Sequence, residues 1–333
     1  MRAHVCIAVV KWAVHWIKAG CLLATVLENV AGILQAVGGY EPFMDRILAT
    51  LKAEATEFAW EAVTLNARGY SLPQNRVRVF LRGARVKFCG PLLPPPLPGF
   101  GKRSIRDFLD KTLRPIDRST MTACMQANLL AIEKKIQGDL AAGKLQEGDV
   151  VCCAVDRAAN KVYPQRYYKD HSPTLTTSNK YLMVISVDVH RPDSEREFLR
   201  FVHPAERLTF QGFNKHTHLE LRAAPLTIKA AGNAYPVPLM MANWHPILER
   251  IAKSGIDLMT PPMPTLERPA HSKAVDRVVD ALTKPARRVP QTRPAAVKKR
   301  PAATQGPPAK QEPPAKQKLT SVNAVFLSSS ESE

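Results

Sequence analysis

The sequence predicts a mixed α/β protein: a piece of α/β sheet, a small irregular β-rich lobe inserted into it, and a disordered basic C-terminal tail. Three observations predict this. Residues 1–85 alternate helical and strand periodicity, which is the pattern of an α/β layer. A proline-rich connector, LLPPPLP at 92–98, interrupts it and is followed by short apolar runs with no repeat. Beyond residue 261 the composition shifts to Pro, Ala, Lys and Arg, too poor in apolar side chains to offset the entropy of ordering.

Taken in order, residues 5–19 carry apolar side chains at helical spacing (Val9, Ala13, Trp16) and end at Gly20, so they read as an amphipathic helix. The continuous apolar run 22–27 reads as a buried strand of a parallel sheet. It ends at Glu28-Asn29-Val30, where open α/β sheets place ligands. After the break at Gly38-Gly39, residues 42–55 read as a helix and 58–65 as a strand. Residues 71–83, SLPQNRVRVFLRG, form the next strand: Val77, Val79 and Leu81 alternate with Arg76, Arg78 and Arg82. Alternation puts the arginines together on the polar face, where their planar forks suit carbonyl or phosphate oxygens. An isolated pair of this kind most often marks a solvated strand face.

In the middle of the chain, 106–113 and 121–144 read as helices, and 150–155, 161–168 and 181–187 as strands around a hydroxyl-rich loop, 172–179. Pro204 starts a short helix that ends at Gln211-Gly212-Phe213. Residues 230–239 read as a glycine turn leading into a helix at 240–252. From 261 onward the expectation is disorder, with at most a transient helical turn at 275–282.

The 333 residues carry a formal charge of +18, with 45% hydrophobic residues. Such a surplus favours polyanionic partners, nucleic acid first. The six cysteines show neither a CxxC pair nor disulfide-framework spacing, which predicts a reduced, intracellular protein. Lys11, His15 and Lys18 interrupt the apolar N-terminal runs, so no membrane span is expected. Arg287-Arg288 and 298–300 (KKR) could equally serve nuclear localisation or solubility. His216 and His218 lack further ligands at metal spacing, and no metal site is predicted.

Four pieces, in this order, resemble the motifs of the DNA (cytosine-5)-methyltransferase family. Leu27-Glu28-Asn29-Val30 is similar to its Glu-Asn-Val motif. Leu65-Asn66-Ala67-Arg68 followed by Pro73-Gln74-Asn75-Arg76-Val77-Arg78 is similar to its Gln-x-Arg-x-Arg motif and lead-in. Ala205-Glu206-Arg207-Leu208 with Gln211-Gly212-Phe213 is similar to its Glu-Arg-Leu-Gln-Gly-Phe motif, and Gly232-Asn233-Ala234-Tyr235-Pro236-Val237 to its final Gly-Asn-Ala-x-Pro-Val motif. The match covers roughly residues 5–255. The resemblance implies a partial S-adenosylmethionine-dependent, Rossmann-like catalytic domain at 1–85, a target-recognition lobe at 86–195, a return to the catalytic domain at 196–258, and the tail at 259–333.

The resemblance also implies a chemistry. A cysteine thiolate attacks C6 of a flipped-out cytosine, and C5 then takes the methyl group of S-adenosylmethionine. Glu28 matches the glutamate on the cytosine N3 and amine edge, Arg78 the arginine on O2, and Arg76 its companion. Asn233 and Ala234 match residues that close the cofactor pocket. Asn29, Gln74, Gln211, Gly212, Thr174 and Thr176 match positions on the DNA side of the site. The family's glycine-rich cofactor loop and Pro-Cys-Gln nucleophile loop precede Glu-Asn-Val, but the twenty-seven residues ahead of Glu28 contain neither. Cys6 and Cys21 lack the flanking Pro and Gln. The expectation is therefore the C-terminal part of a methyltransferase with an incomplete cofactor site. It would bind DNA, be inactive alone, and be completed by a chain that supplies the missing half. The alternative is a catalytically dead DNA-binding or partner-binding remnant.

Overall fold

A computed structural model of the chain describes residues 2–156, 166–177, 181–188, 190–214, 224–256 and 273–284. All of these lie within one compact unit, Met1–Val289. The lysine–arginine runs near 287 and 300, the His216/His218 pair and the rest of the expected tail lie outside the described residues.

The first half is built on a three-stranded antiparallel sheet in the order β1-β3-β2. Helix α1 spans Arg2–Lys18, β1 Ala24–Val30, α2 Phe43–Glu54, β2 Phe58–Asn66 and β3 Val77–Arg85. In the register, Glu28 lies opposite Phe80 and Val30 opposite Arg78, while Leu65 pairs with Arg78 from the other side. Hence β1 is not the parallel strand expected of an unbroken apolar run. It is a half-buried antiparallel edge strand with one described neighbour, β3.

Val10, Val14 and Ile17 of α1 and Met44, Ile47 and Leu51 of α2 meet Val79 and Leu81 in one core cluster. A further helix, α8 (Lys273–Thr283), joins the same cluster through Ala274, Val275, Val278 and Leu282. Arg46 of α2 donates to the carbonyls of Ala281, Leu282 and Lys284, satisfying the end of that helix. A stretch expected to form a transient turn is thus a packed helix, because its apolar residues recur one helical turn apart.

Arg82 corrects the picture of a solvated arginine face. It is fully buried, donates at 2.5 Å to Glu61 of β2, and caps the carbonyls of Pro94 and Asn243. The proline-rich connector and helix α7 (Val237–Lys253) are thereby fastened to β3. Their contacts are remote in sequence, which is why alternation alone misassigned the residue.

After a short helix α3 (Val86–Cys89), the inserted lobe contains α4 (Ala123–Ala141) packed on a second antiparallel sheet ordered β5-β4-β6-β7. Its strands are β4 (Val150–Ala154), β5 (Tyr167–Lys169), β6 (Leu182–Ser186) and β7 (Leu199–Phe201). The lobe's sheet therefore runs past the boundary expected at residue 195. Residues 106–113 hold only a single 3-10 turn, Ile105–Phe108, where a helix was expected. Its Ser104 cap and the Asp110 turn divert the chain. The strand expected at 161–168 falls largely on residues outside those described. Helices α5 (Pro204–Thr209) and α6 (Ala224–Asn233) complete the unit. Gly232 lies in the last turn of α6, not in a free turn.

Candidate active site

The site lies where β1 and β3 leave the sheet together. Pleating puts Glu28 and Val30 on one face of β1 and Asn29 on the other. Arg78 opposite Val30 reaches back across the pair: its Nε lies 2.7 Å from Glu28 Oε1. Arg76, in the loop entering β3, brings Nη2 to 3.8 Å from the same oxygen. The contact with Arg78 is an ion pair outside hydrogen-bond geometry, so Oε1 is a buried acceptor that no donor meets squarely. Burial raises the Glu28 carboxyl above its usual range, and the Arg76 and Arg78 charges only partly offset this. Desolvation outweighs the Arg76 and Arg78 charges and the Arg78 contact because the side chain is mostly withdrawn from water.

Arg76 also ties distant segments together. It is 3% exposed and donates to the carbonyls of Leu175 (3.1 Å), Ala234 (3.2 Å) and Gly232 (3.5 Å). Burial first, then the neighbouring Arg78, pulls its pKa down to about 10. Its guanidinium thus ties the loop of the inserted lobe and the end of α6 to the mouth of β3.

Gln74 works beside it. Fully buried, it accepts from the Leu175 backbone N–H at 3.0 Å and donates to Phe210 O at 3.3 Å. Ser172 N donates to Pro73 O at 2.7 Å, Asn75 N to Ser172 O at 3.1 Å, and Thr174 Oγ1 to Asn75 O at 2.7 Å. Residues 172–177, with Thr176 half-buried among them, are therefore zipped onto 73–76. On the other side of this loop sits Gly232: a Cβ there would fall 2.4 Å from Thr177 N and 2.5 Å from Thr176 C. Only glycine permits that approach.

The remaining predicted residues divide clearly. Gln211 is fully buried and donates to Ala231 O at 2.7 Å; Gly212, at φ +85°, turns under Pro238. Both support the Gly232–Ala234 segment and neither faces the Glu28 oxygen. Asn29 turns away from the site, with Nδ2 3.8 Å from Cys6 Sγ. Burial raises that thiol's pKa, the opposite of what a nucleophile needs. Asn233 is exposed and Ala234 half-buried. Sequence reasoning passed over Tyr235, which bonds the Glu28 backbone and whose phenol is raised by burial and by the Glu28 charge. Its position as the variable residue between two assigned motif residues was the available signal.

Among the described residues, the space beside these groups is small. The cavity beside Glu28 and Asn29, lined by Val5, Cys6 and Val9 among others, is about 160 Å³, below the roughly 300–1,000 Å³ of small-molecule pockets. A larger cavity of about 600 Å³ is lined by Cys21, Arg85 and Phe88, at the opposite end of the strands from Glu28. The described residues alone do not fit the methyl donor.

The sequence profile of the C-5 cytosine-specific DNA methylase family matches residues 21–249. A curated relative, the type II methyltransferase M.AgeI of Thalassovita gelatinovora, is 41% identical over 85 residues, which is 24% of this chain and 18% of that protein. Among solved structures, the Entamoeba histolytica methyltransferase EhMeth superposes with a TM-score of 0.40 at 13% identity, over 74% of this chain and 70% of its own. A Spodoptera frugiperda DNMT2 variant gives 0.40 at 13% identity over 68% and 67%. The profile spans more than half of the residues and contains the whole cluster at Glu28, Arg76 and Arg78, and on that ground the chain belongs to the C-5 cytosine-specific DNA methylase family.

Proposed function

We propose that Glu28 and Arg78 hold the edge of an extrahelical cytosine in DNA, with Arg76 positioning the elements around them. The observation that carries this reading is the Glu28–Arg78 contact: a buried carboxyl of raised pKa, with an unmet oxygen, beside a guanidinium at the open end of the sheet. Protonated, the carboxyl can donate to cytosine N3 while its other oxygen accepts from the exocyclic amine. The Arg78 fork can donate to O2. Family membership supports S-adenosylmethionine as the methyl donor and C5 of cytosine as the acceptor of the overall reaction. No Pro-Cys-Gln segment occurs in the 333 residues, so these residues hold the base and do not attack it. The thiolate and the methyl-donor site come, in this reading, from polypeptide outside them that docks on the open edge of β1.

The test is equilibrium binding to duplexes carrying a cytosine or a thymine opposite an abasic site, where extrusion is easy. The chain should favour cytosine, and Arg78→Ala should weaken binding to both by about 10-fold or more, the loss of one charge-assisted contact. Equal affinity of wild type and Arg78→Ala for the cytosine duplex would remove the pocket assignment. Methyl transfer to DNA by the purified chain alone would show that a nucleophile has been overlooked.

A further inference from the structure

Next to the pocket, three segments distant in sequence are stitched into one surface. Ser71 N donates to Gly101 O at 2.9 Å, and Gly101 N to Gly69 O at 3.2 Å, laying the end of the proline-rich connector along residues 69–71. Ile105 N and Ser104 Oγ donate to Asp170 O and Oδ1, each at 3.2 Å, joining the connector to the end of β5. His171 stacks edge-on against Tyr168 with ring centroids 5.4 Å apart, and its Nδ1 lies 2.6 Å from Lys169 O.

What this surface presents is cationic with one bare ring. Phe100 is 64% exposed, held only at its edge by Tyr70 at 6.2 Å. Lys102 follows two residues on, and Arg68 precedes Gly69, whose carbonyl holds Gly101; burial, with the Arg68 and Lys102 charges, lowers the pKa of the nearby His171 against the pull of Lys169 O and Asp170. Arg103 is matched by Asp107, and Lys169 by Asp149. Arg68 and Lys102 have no acidic side chain within ion-pair reach among the described residues. Both cations are thus left for an outside anion, and most of the ring faces outward.

The surface adjoins the pocket. Arg68 lies two residues beyond Asn66, the partner of Val77. His171 precedes Ser172, which bridges Gln74 just ahead of Arg76. That is roughly 10 Å of extended chain.

We propose that Arg68, Lys102 and Phe100 form the landing site for the DNA strand that leads into the Glu28–Arg78 pocket. The two cations neutralise phosphates, and the Phe100 ring stacks on a base unstacked beside the extruded one. The inference rests on the base-holding reading of the neighbouring pocket.

The test uses the full chain and fluorescein-labelled duplex with an abasic site opposite cytosine, titrated from about 50 to about 200 mM salt. With two phosphate contacts removed, Arg68→Ala/Lys102→Ala should lower the salt slope by about 1.8, so that its affinity falls about tenfold less than wild type across that range. A control of equal charge change, Lys52→Ala/Lys134→Ala, should leave the slope unchanged, because those side chains lie on α2 and α4. Phe100→Ala should weaken binding about fivefold or more with the slope intact. An unaltered slope in the Arg68/Lys102 variant, or an equal fall in the control, overturns the landing site while the pocket stands, as Arg78→Ala still weakens binding. Loss of cytosine preference in wild type instead removes the pocket reading.

Discussion

Replacing Glu206 by Ala is expected to destabilise the protein by about 3–5 kcal/mol, because it strands a buried guanidinium. Glu206 accepts from Arg200 Nη2 at 2.7 Å and Nη1 at 2.9 Å, and from the backbone N–H groups of Asp110 and His203, each at 2.7 Å. Arg200 is 4% exposed and Glu206 6%. One carboxylate therefore joins β7, the start of α5 and the loop at Asp110, and it completes a capping box with His203. Thermal unfolding should move down by roughly 10 °C for a unit of this size. A double change to Arg200→Met with Glu206→Leu should recover most of the loss, since it removes both charges together. If the double variant is as unstable as Glu206→Ala, the damage lies in the two backbone N–H groups left without an acceptor or in packing, and not in the orphaned charge.

The second large effect is at Gly232. Gly232→Ala drives a methyl group into the backbone at Thr176–Thr177, where contacts of 2.4 and 2.5 Å leave no room. Because backbone cannot rotate aside as a side chain can, the residue 172–177 loop must lift from 73–76. Arg76 then loses alignment with Leu175 or with Gly232 and Ala234. We expect a loss of about 1–3 kcal/mol in stability, the usual range for overpacking. Faster amide exchange should appear at Leu175, whose N–H is held by Gln74. Gly138→Ala in α4 is the matched control: nothing lies within 4 Å of a Cβ there, and alanine favours a helix. Protection at Leu175 unchanged in Gly232→Ala would show that the loop can shift without releasing Arg76.

Local periodicity made much of this fold legible. The α1, α2, β2, α4 and α7 segments each announce themselves by spacing, and each forms close to its expected limits. What periodicity does not contain is partnership. The apolar run before Glu28 indicates burial but not strand direction, and β1 runs antiparallel to β3. Alternation put Arg82 on a polar face, whereas Glu61, Pro94 and Asn243 bury it from three distant places in the chain. At 230–239 the glycine suggests a turn, whereas Gly232 ends helix α6 and allows close approach to the 172–177 loop.

The site was legible to a similar degree. Motif order singles out Glu28, Arg76 and Arg78, and the structure brings them together, since the pairing of β1 with β3 sets Glu28 beside Arg78 and the loop entering β3 carries Arg76. Motif order does not show that Arg76 is taken up by backbone carbonyls of other segments. Those carbonyls belong to Leu175, Gly232 and Ala234, and no local pattern encodes the contact. Nor could it tell that Asn29, adjacent to Glu28, faces Cys6 across the sheet.

If the Glu28 carboxyl reads the cytosine edge, base preference depends on pH. The protonated carboxyl matches cytosine, whereas the carboxylate repels the N3 lone pair. Since burial raises the pKa above its usual value near 4.5, the protonated fraction grows as pH falls, and does so at higher pH than for a free glutamate. The affinity ratio for cytosine over thymine opposite an abasic site should therefore rise as pH is lowered towards 5. In Glu28→Gln the ratio should be high and flat, because the amide donates to N3 and accepts from the amine at every pH. A wild-type ratio that is flat with pH, or a Glu28→Gln variant with no preference for cytosine, would contradict the account.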